Sequence, residues 1–236
     1  MARLSAALFA SGALALSPAL ALADSAVGDT GSPSSVSPSP SEAAMQSVPA
    51  ERRAGVVIGL AFGPAFAGAS GYPNDSKLIG NPDYYSESPL LVGTSSSIFV
   101  MGALTDYLSF GPMVSSARME TEKWKSTGFG VGFRAEAFPF YRLVPRLADL
   151  AIYGMMGVGA TELQAKGPYP GADGTQSFLG AGVHHEWRFF RMLGGHVSGG
   201  PYVEYDAIFS KPAERHWLSF GFRMAWYGGS VTADER

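Results

Sequence analysis

Residues Trp217–Tyr227 read W-L-S-F-G-F-R-M-A-W-Y, a strict alternation. Leu218, Phe220, Phe222, Met224 and Trp226 fall on one face, and Ser219, Gly221, Arg223 and Ala225 on the other. A period of two sustained over this length predicts a strand rather than a helix. The same texture fills the chain from Ala54 onward and predicts eight strands. These are Val56–Phe66, Leu91–Leu104, Tyr107–Arg118, Thr127–Phe138, Asp149–Thr161, Gln176–Phe189, His196–Phe209 and Trp217–Tyr227. The fourth is as regular as the last: Phe129, Val131, Phe133 and Ala135 oppose Gly128, Gly130, Gly132, Arg134 and Glu136. Most of these stretches are near the ~9–11 residues with which a tilted strand crosses a bilayer.

Two folds put such strands to use. In a soluble barrel the bulky face turns inward, as in lipocalins that hold an apolar ligand. In a bilayer the bulky face meets lipid and the small face lines the lumen. Composition separates them. Only 16% of the residues are charged and 30 are glycine, against about 25% charged in a typical soluble domain. Turning Phe220, Phe222 and Met224 inward would leave a glycine-rich surface with few charges, unlike that of a soluble protein. Past the N-terminus no window approaches the ~18 apolar residues of a membrane helix. A chain of this kind spans a membrane only as a closed barrel, which pairs all its backbone groups. The expected fold class is therefore all-β: an eight-stranded antiparallel up-and-down transmembrane β-barrel over residues 54–227.

Residues 1–23 read as a secretory signal. Arg3 is followed by the apolar run Leu4–Leu16, then by Pro18 and the A-x-A site Ala21-Leu22-Ala23. Residues 24–53 are rich in Ser and Pro without aromatic residues, a composition too poor in apolar surface to fold; a disordered periplasmic linker is expected. Residues 228–236 form a C-terminal tail. An even number of strands places both termini on one side, the periplasm, and the long polar connection Ala67–Leu90 on the other. Glu120–Ser126, Glu162–Thr175 and Ser210–His216 join it there, opposite Thr105-Asp106, Phe140–Ala148 and Phe190–Gly195. Aromatic residues at both strand ends suggest interfacial belts. Tyr107, Phe138, Phe140, Tyr141, Phe189, Phe190, Trp226 and Tyr227 mark the inner ends. Phe66, Trp124, Phe178, Phe209 and Trp217 mark the outer ends.

Candidate chemistry is sparse. The net charge of −3 gives no basic patch for nucleic acid. Absence of cysteine removes disulfides and thiol nucleophiles. His184-His185-Glu186 is the most reactive-looking triplet, but neighbours on a strand point to opposite faces. The two histidines therefore cannot converge on one metal, and no serine at a suggestive spacing completes a hydrolytic set. Gly128, Gly130 and Gly132 sit at period two inside a strand with no helix after them, which rules out a nucleotide loop. No catalytic residue, metal or cofactor is expected. Arg134, Glu136, Glu186, Glu204, Asp206 and Arg223 all fall on the small-residue face. An eight-stranded barrel is just wide enough for side chains to fill it, and buried charges must pair. An interior network is expected in which Arg134 and Arg223 bridge Glu136, Glu186 and Glu204, with Tyr153, Tyr202 and Phe178 crowding inward. A gate or narrow ion path is the alternative.

With these strands, turns and aromatic ends, residues Ala54–Tyr227 resemble the small outer-membrane β-barrels of Gram-negative bacteria, the OmpA/OmpX type. Ser219, Gly221, Met224 and Trp226 fit in register the last-strand signal that such proteins present to the barrel-assembly machinery. The departure is the tail after Tyr227, where the family usually stops. The resemblance implies residence in the outer membrane. Its partners would be outer-membrane lipids, lipopolysaccharide and the assembly machinery, and the protein would be a monomer with a structural or surface-interaction role. A lipid-modifying enzyme is the other function such a barrel would have.

Overall fold

The computed structural model describes residue 53, residues 55–141 and residues 143–229. The expected signal segment and most of the linker and tail lie outside the described residues. Eight long strands form the wall: β1 (Val56–Gly71), β2 (Leu91–Thr105), β3 (Leu108–Glu120), β4 (Trp124–Ala137), β5 (Leu150–Ala165), β6 (Ala172–His185, continued by Trp187–Met192), β7 (Gly195–Phe209) and β8 (Ala213–Gly228). Each pairs antiparallel with its sequence neighbour. The ring closes where β8 runs against β1 from Val56↔Gly228 to Gly71↔Ala213. Closure leaves no open sheet edge along the wall, which is what a spanning sheet requires.

The break in β6 is one of hydrogen bonding, not of direction. His184 pairs with Tyr202 and Trp187 with Gly199, so the register is continuous across it. The interruption lies opposite Pro201, which brings no N–H to the ladder. The β6–β7 connection is the two-residue turn 193–194, shorter than the connection expected over Phe190–Gly195. Leu193 and Gly194 both have positive φ, 53° and 71°, the left-handed geometry that matches strand twist in a two-residue hairpin.

The strands are longer than their alternation suggested, and the extra length is mostly at the end away from the termini. β1 runs on to Gly71, β3 to Glu120 and β5 to Ala165; β4 starts at Trp124, β6 at Ala172 and β8 at Ala213. The outer connections shrink accordingly to residues 121–123, 166–171 and 210–212. Of the outer connections only residues 72–90 form a long loop, and it folds back as a cap. Ser86–Glu87 pairs with Ser70 and Gly71 of β1, the Tyr72 N–H donates to the Pro212 carbonyl at 2.6 Å, and Ser86 Oγ donates to the Pro170 carbonyl at 2.5 Å.

The outward surface has two zones. Toward the inner end it is an apolar band that runs round the barrel, including Ile58, Leu60 and Phe62 on β1, Ile98 and Val100 on β2, Phe129 to Phe133 on β4, Met156 and Val158 on β5, and Phe220 to Met224 on β8. Beyond it, for about six residues or roughly 20 Å of strand, the outward residues are mainly polar. Thr94, Ser96, Ser116, Arg118, Glu120, Glu162, Gln164, Asp173, Thr175, Ser177 and Glu214 are exposed there. Val92 and Phe209 are exposed apolar exceptions.

Candidate functional site: the filled lumen

Inward-pointing residues of the inner half form one ionic cluster. It is built by strand alternation, which sends Arg134, Glu136, His184, Glu204 and Arg223 to the same side of the wall as the glycines. Arg223 donates to Glu136 Oε1 at 2.8 Å and to Glu186 Oε2 at 3.0 Å. Arg134 Nε donates to Glu136 Oε2 at 3.1 Å, and its Nη1 lies 3.6 Å from Glu204 Oε2. Arg134, Glu136, Glu186, Glu204 and Arg223, the five residues of the network expected from the sequence, meet here, and each is buried.

The cluster holds more than those five. Tyr153 donates to Glu204 Oε2 at 3.0 Å and Tyr227 to Glu186 Oε2 at 2.7 Å. His184 Nε2 is 3.3 Å from Glu136 Oε1, with its ring edge-on to Phe138 at 5.8 Å. Phe99 sits between two guanidinium groups, 4.6 Å from that of Arg134 and 4.9 Å from that of Arg223. The ring of Tyr153 is 3.5 Å from the Arg134 guanidinium. A guanidinium over an aromatic face is held by the ring's quadrupole when it is cut off from water.

The last residue of the expected linker also reaches the cluster. Arg53 is 3% exposed and enters the inner mouth. Its Nε donates to Glu186 Oε1 at 3.0 Å and its Nη2 to Asp149 Oδ1 at 2.6 Å. Its guanidinium stacks 3.5 Å from the centre of the Phe138 ring. The residue was missed because it lies before the first alternating stretch, in a segment whose composition reads as unstructured. With it the count balances: among the described residues four arginines (53, 134, 215, 223) and four carboxylates (Glu136, Glu186, Glu204, Asp206) are buried.

Glycine makes room for this packing. A Cβ at position 59 would come within 2.3 Å of the Phe99 ring, and one at 182 within 2.5 Å of the Tyr153 ring. Both rings belong to the cluster, so these two positions require glycine because a bulky neighbour occupies the space.

The outer half of the lumen differs. Trp217, Phe178, Ile208, Met119, Leu91, Leu163 and Trp124 are buried there as an apolar core, with Phe178 and Trp217 stacked at 6.1 Å. Arg215 and Asp206 lie among them, and Arg215 donates to the Ala117 carbonyl at 3.1 Å. The aromatic belt is corrected in part. Tyr107, Phe189, Phe190 and Phe209 are exposed on the outside, but Phe138, Tyr227, Trp124, Phe178 and Trp217 are buried and fill the interior. Strand-end position marks height along the barrel, and only residue parity decides whether a ring faces lipid or lumen.

The remaining residues singled out in the sequence have plain positions. His185 turns away from His184 and packs against Trp187 at 5.3 Å. Ser219 and Gly221 point inward on β8, Met224 points outward and exposed, and Trp226 is half-buried; Trp226 Nε1 donates to the Met192 carbonyl at 2.9 Å. No group of three or more His, Cys, Asp or Glu side chains among the described residues is arranged to hold a metal ion.

The closed ring of eight antiparallel strands, with an ionic cluster in its lumen and an apolar band outside, is the fold of the small eight-stranded outer-membrane β-barrels. Among solved structures the chain is similar to Ail, the attachment invasion locus protein of Yersinia pestis, at 12% identity over 73% of this chain and 99% of that one, with a TM-score of 0.44. Neisserial surface protein A is similar at 14% identity over 72% and 96%, TM-score 0.38. The outer membrane protein OprG from Pseudomonas aeruginosa is similar at 10% identity over 75% and 98%, TM-score 0.35. No family model and no curated protein matches the chain.

Proposed function

We propose that this protein is an integral outer-membrane β-barrel, closed to ion flow, that holds its rim loops well clear of the membrane surface for a structural or surface-interaction role. One observation carries the reading: the apolar band occurs on the outward face of every strand, with Phe62 61% exposed, Ile98 62% and Met156 65%. A soluble monomer rarely leaves so large a continuous apolar patch in water, whereas lipid covers it at no loss of backbone hydrogen bonding. The ionic cluster fills the inner half of the lumen and the apolar core fills the outer half, with the 72–90 segment tied across the mouth by its bonds to Pro170 and Pro212. In this orientation both termini are periplasmic, the outward partners are outer-membrane lipids and lipopolysaccharide, and Ser219, Gly221, Met224 and Trp226 present the assembly signal on β8. The protein acts as a monomer, since lipid rather than a second copy covers the band.

Fractionation of cells expressing the full chain tests the placement: the protein is expected in the outer membrane, extracted only by detergent and migrating faster on gels before boiling than after. Recovery in the soluble periplasmic fraction would refute it. Planar-bilayer recordings test the closed lumen. Steady open events that disappear in Arg134→Ala or Glu204→Ala would replace the plug with a channel.

A further inference from the structure

The outer rim contains a cleft that neither the band nor the lumen explains. It has a volume of about 650 Å³, within the roughly 300–1,000 Å³ of small-ligand sites. It lies between the 72–90 cap and the hairpin at 121–123, with the 166–171 hairpin at its back. Tyr169 is 56% exposed and Tyr85 44% exposed at its edges, and the indole of Trp124 forms a buried floor 5.9 Å from the Tyr169 ring. Glu87, Glu122 and Lys123 are the charged residues of its lining.

The walls are held in place. Ser86 Oγ is tied to Pro170, Tyr85 packs on Tyr72 at 5.2 Å, and the Lys166 N–H donates to the Lys123 carbonyl at 2.8 Å. Lys166 Nζ also donates to the Thr121 carbonyl at 2.9 Å and pairs with Glu120. Exposed aromatic rings fixed in this way leave little conformational entropy to be lost on binding.

We infer that this cleft binds a neutral oligosaccharide. A pyranose ring has an apolar C–H face that lies on an aromatic ring and a rim of hydroxyl groups that donate to carboxylates. The cleft offers both, Tyr85 and Tyr169 as the platform, the latter backed by Trp124, and Glu87 and Glu122 as acceptors. Its two carboxylates to one ammonium repel sulfated or phosphorylated sugars, so the ligand is uncharged. This assignment concerns the rim and does not depend on lipid around the band.

The test is titration of the full-length protein in detergent micelles with maltotriose, lactotriose and chitotriose, followed by saturation-transfer NMR on the sugar protons. Binding of at least one is expected, weakened tenfold or more by Tyr169→Ala and by Glu122→Gln, with unchanged gel heat-modifiability showing that the barrel remains intact. Reconstitution into vesicles with and without lipopolysaccharide identifies the source of the sugar. Loss of trisaccharide binding only when lipopolysaccharide is present assigns the membrane's own glycan; retained binding assigns a soluble one. No binding by any of the three, binding indifferent to both substitutions, or tighter binding of dextran sulfate or a basic peptide would overturn the proposal.

Discussion

The inner and outer halves of this barrel are built on opposite plans. In the inner half the outward residues are apolar and the lumen holds an arginine–carboxylate cluster. In the outer half the outward residues are mainly polar and the lumen holds Trp217, Phe178, Met119 and Leu163. The strands run through the change without interruption, β1 keeping its pairing with β8 from Val56 to Gly71. On the proposed placement the solvent outside is what differs. Lipid accepts phenylalanine at the surface, and the polar groups are then gathered inside, where each must find a partner. Water reverses the preference, and the outer half is organised like a soluble barrel with an apolar core. One sheet thus serves two environments by exchanging which residues occupy odd and even positions.

The largest effects are expected where each interior is broken by its own rule. Glu136 lies between Arg134, Arg223 and His184. Glu136→Ala leaves buried cations without their shared partner and should cost about 3–5 kcal/mol, read from the unfolding midpoint of the protein in detergent. Trp217→Ala in the outer core should cost about 3–5 kcal/mol for a packing reason instead, the cavity left by a large aromatic residue. The two separate on repair. A second substitution that removes Arg223 should recover part of the loss in Glu136→Ala and none of it in Trp217→Ala, measured by a double-mutant cycle.

Smaller effects compare the two exteriors. Phe133→Arg places a charge in the apolar band and should cost about 2–4 kcal/mol for folding into vesicles. Thr175→Arg, on the outward face beyond the band, should stay within about 0.5 kcal/mol. Equal penalties at the two positions would remove the boundary between the halves. Arg53→Ala takes away the hydrogen-bonded cation at the inner mouth and should cost about 1.5–3 kcal/mol, less than Glu136→Ala because Arg223 and Tyr227 still hold Glu186.

Much of the wall was legible because alternation is a local signal. The eight strands, the inward glycines and the convergence of Arg134, Glu136, Glu186, Glu204 and Arg223 all follow from parity along single strands. The outer half was harder to read for the same reason. Once the strands leave lipid the outward positions become Thr, Ser and Glu, so stretches such as Glu162–Gln164 and Asp173–Ser177 lose the bulky side that marks a membrane strand and resemble loop. Arg53 was hidden for a different reason: its role depends on Glu186 and Asp149, far along the chain, and nothing beside it repeats. The partners of His184, Tyr153 and Tyr227 were also non-local, set by how the ring closes. Height along the strand suggests a belt position for Trp217 and Tyr227, whereas the alternation of β8 places them opposite Phe220.

The strand β2 offers the most direct test of the exchange between halves. The chain has no cysteine, so single cysteines at residues 94, 96, 98, 100 and 104 carry one spin label each without further change. In lipid vesicles, labels at 98, 100 and 104 should collide with dissolved oxygen and be shielded from a water-soluble nickel complex, while labels at 94 and 96 show the reverse. Uniform aqueous access along the strand, or lipid contact extending to residue 94, would contradict a barrel that crosses the bilayer by its inner half alone.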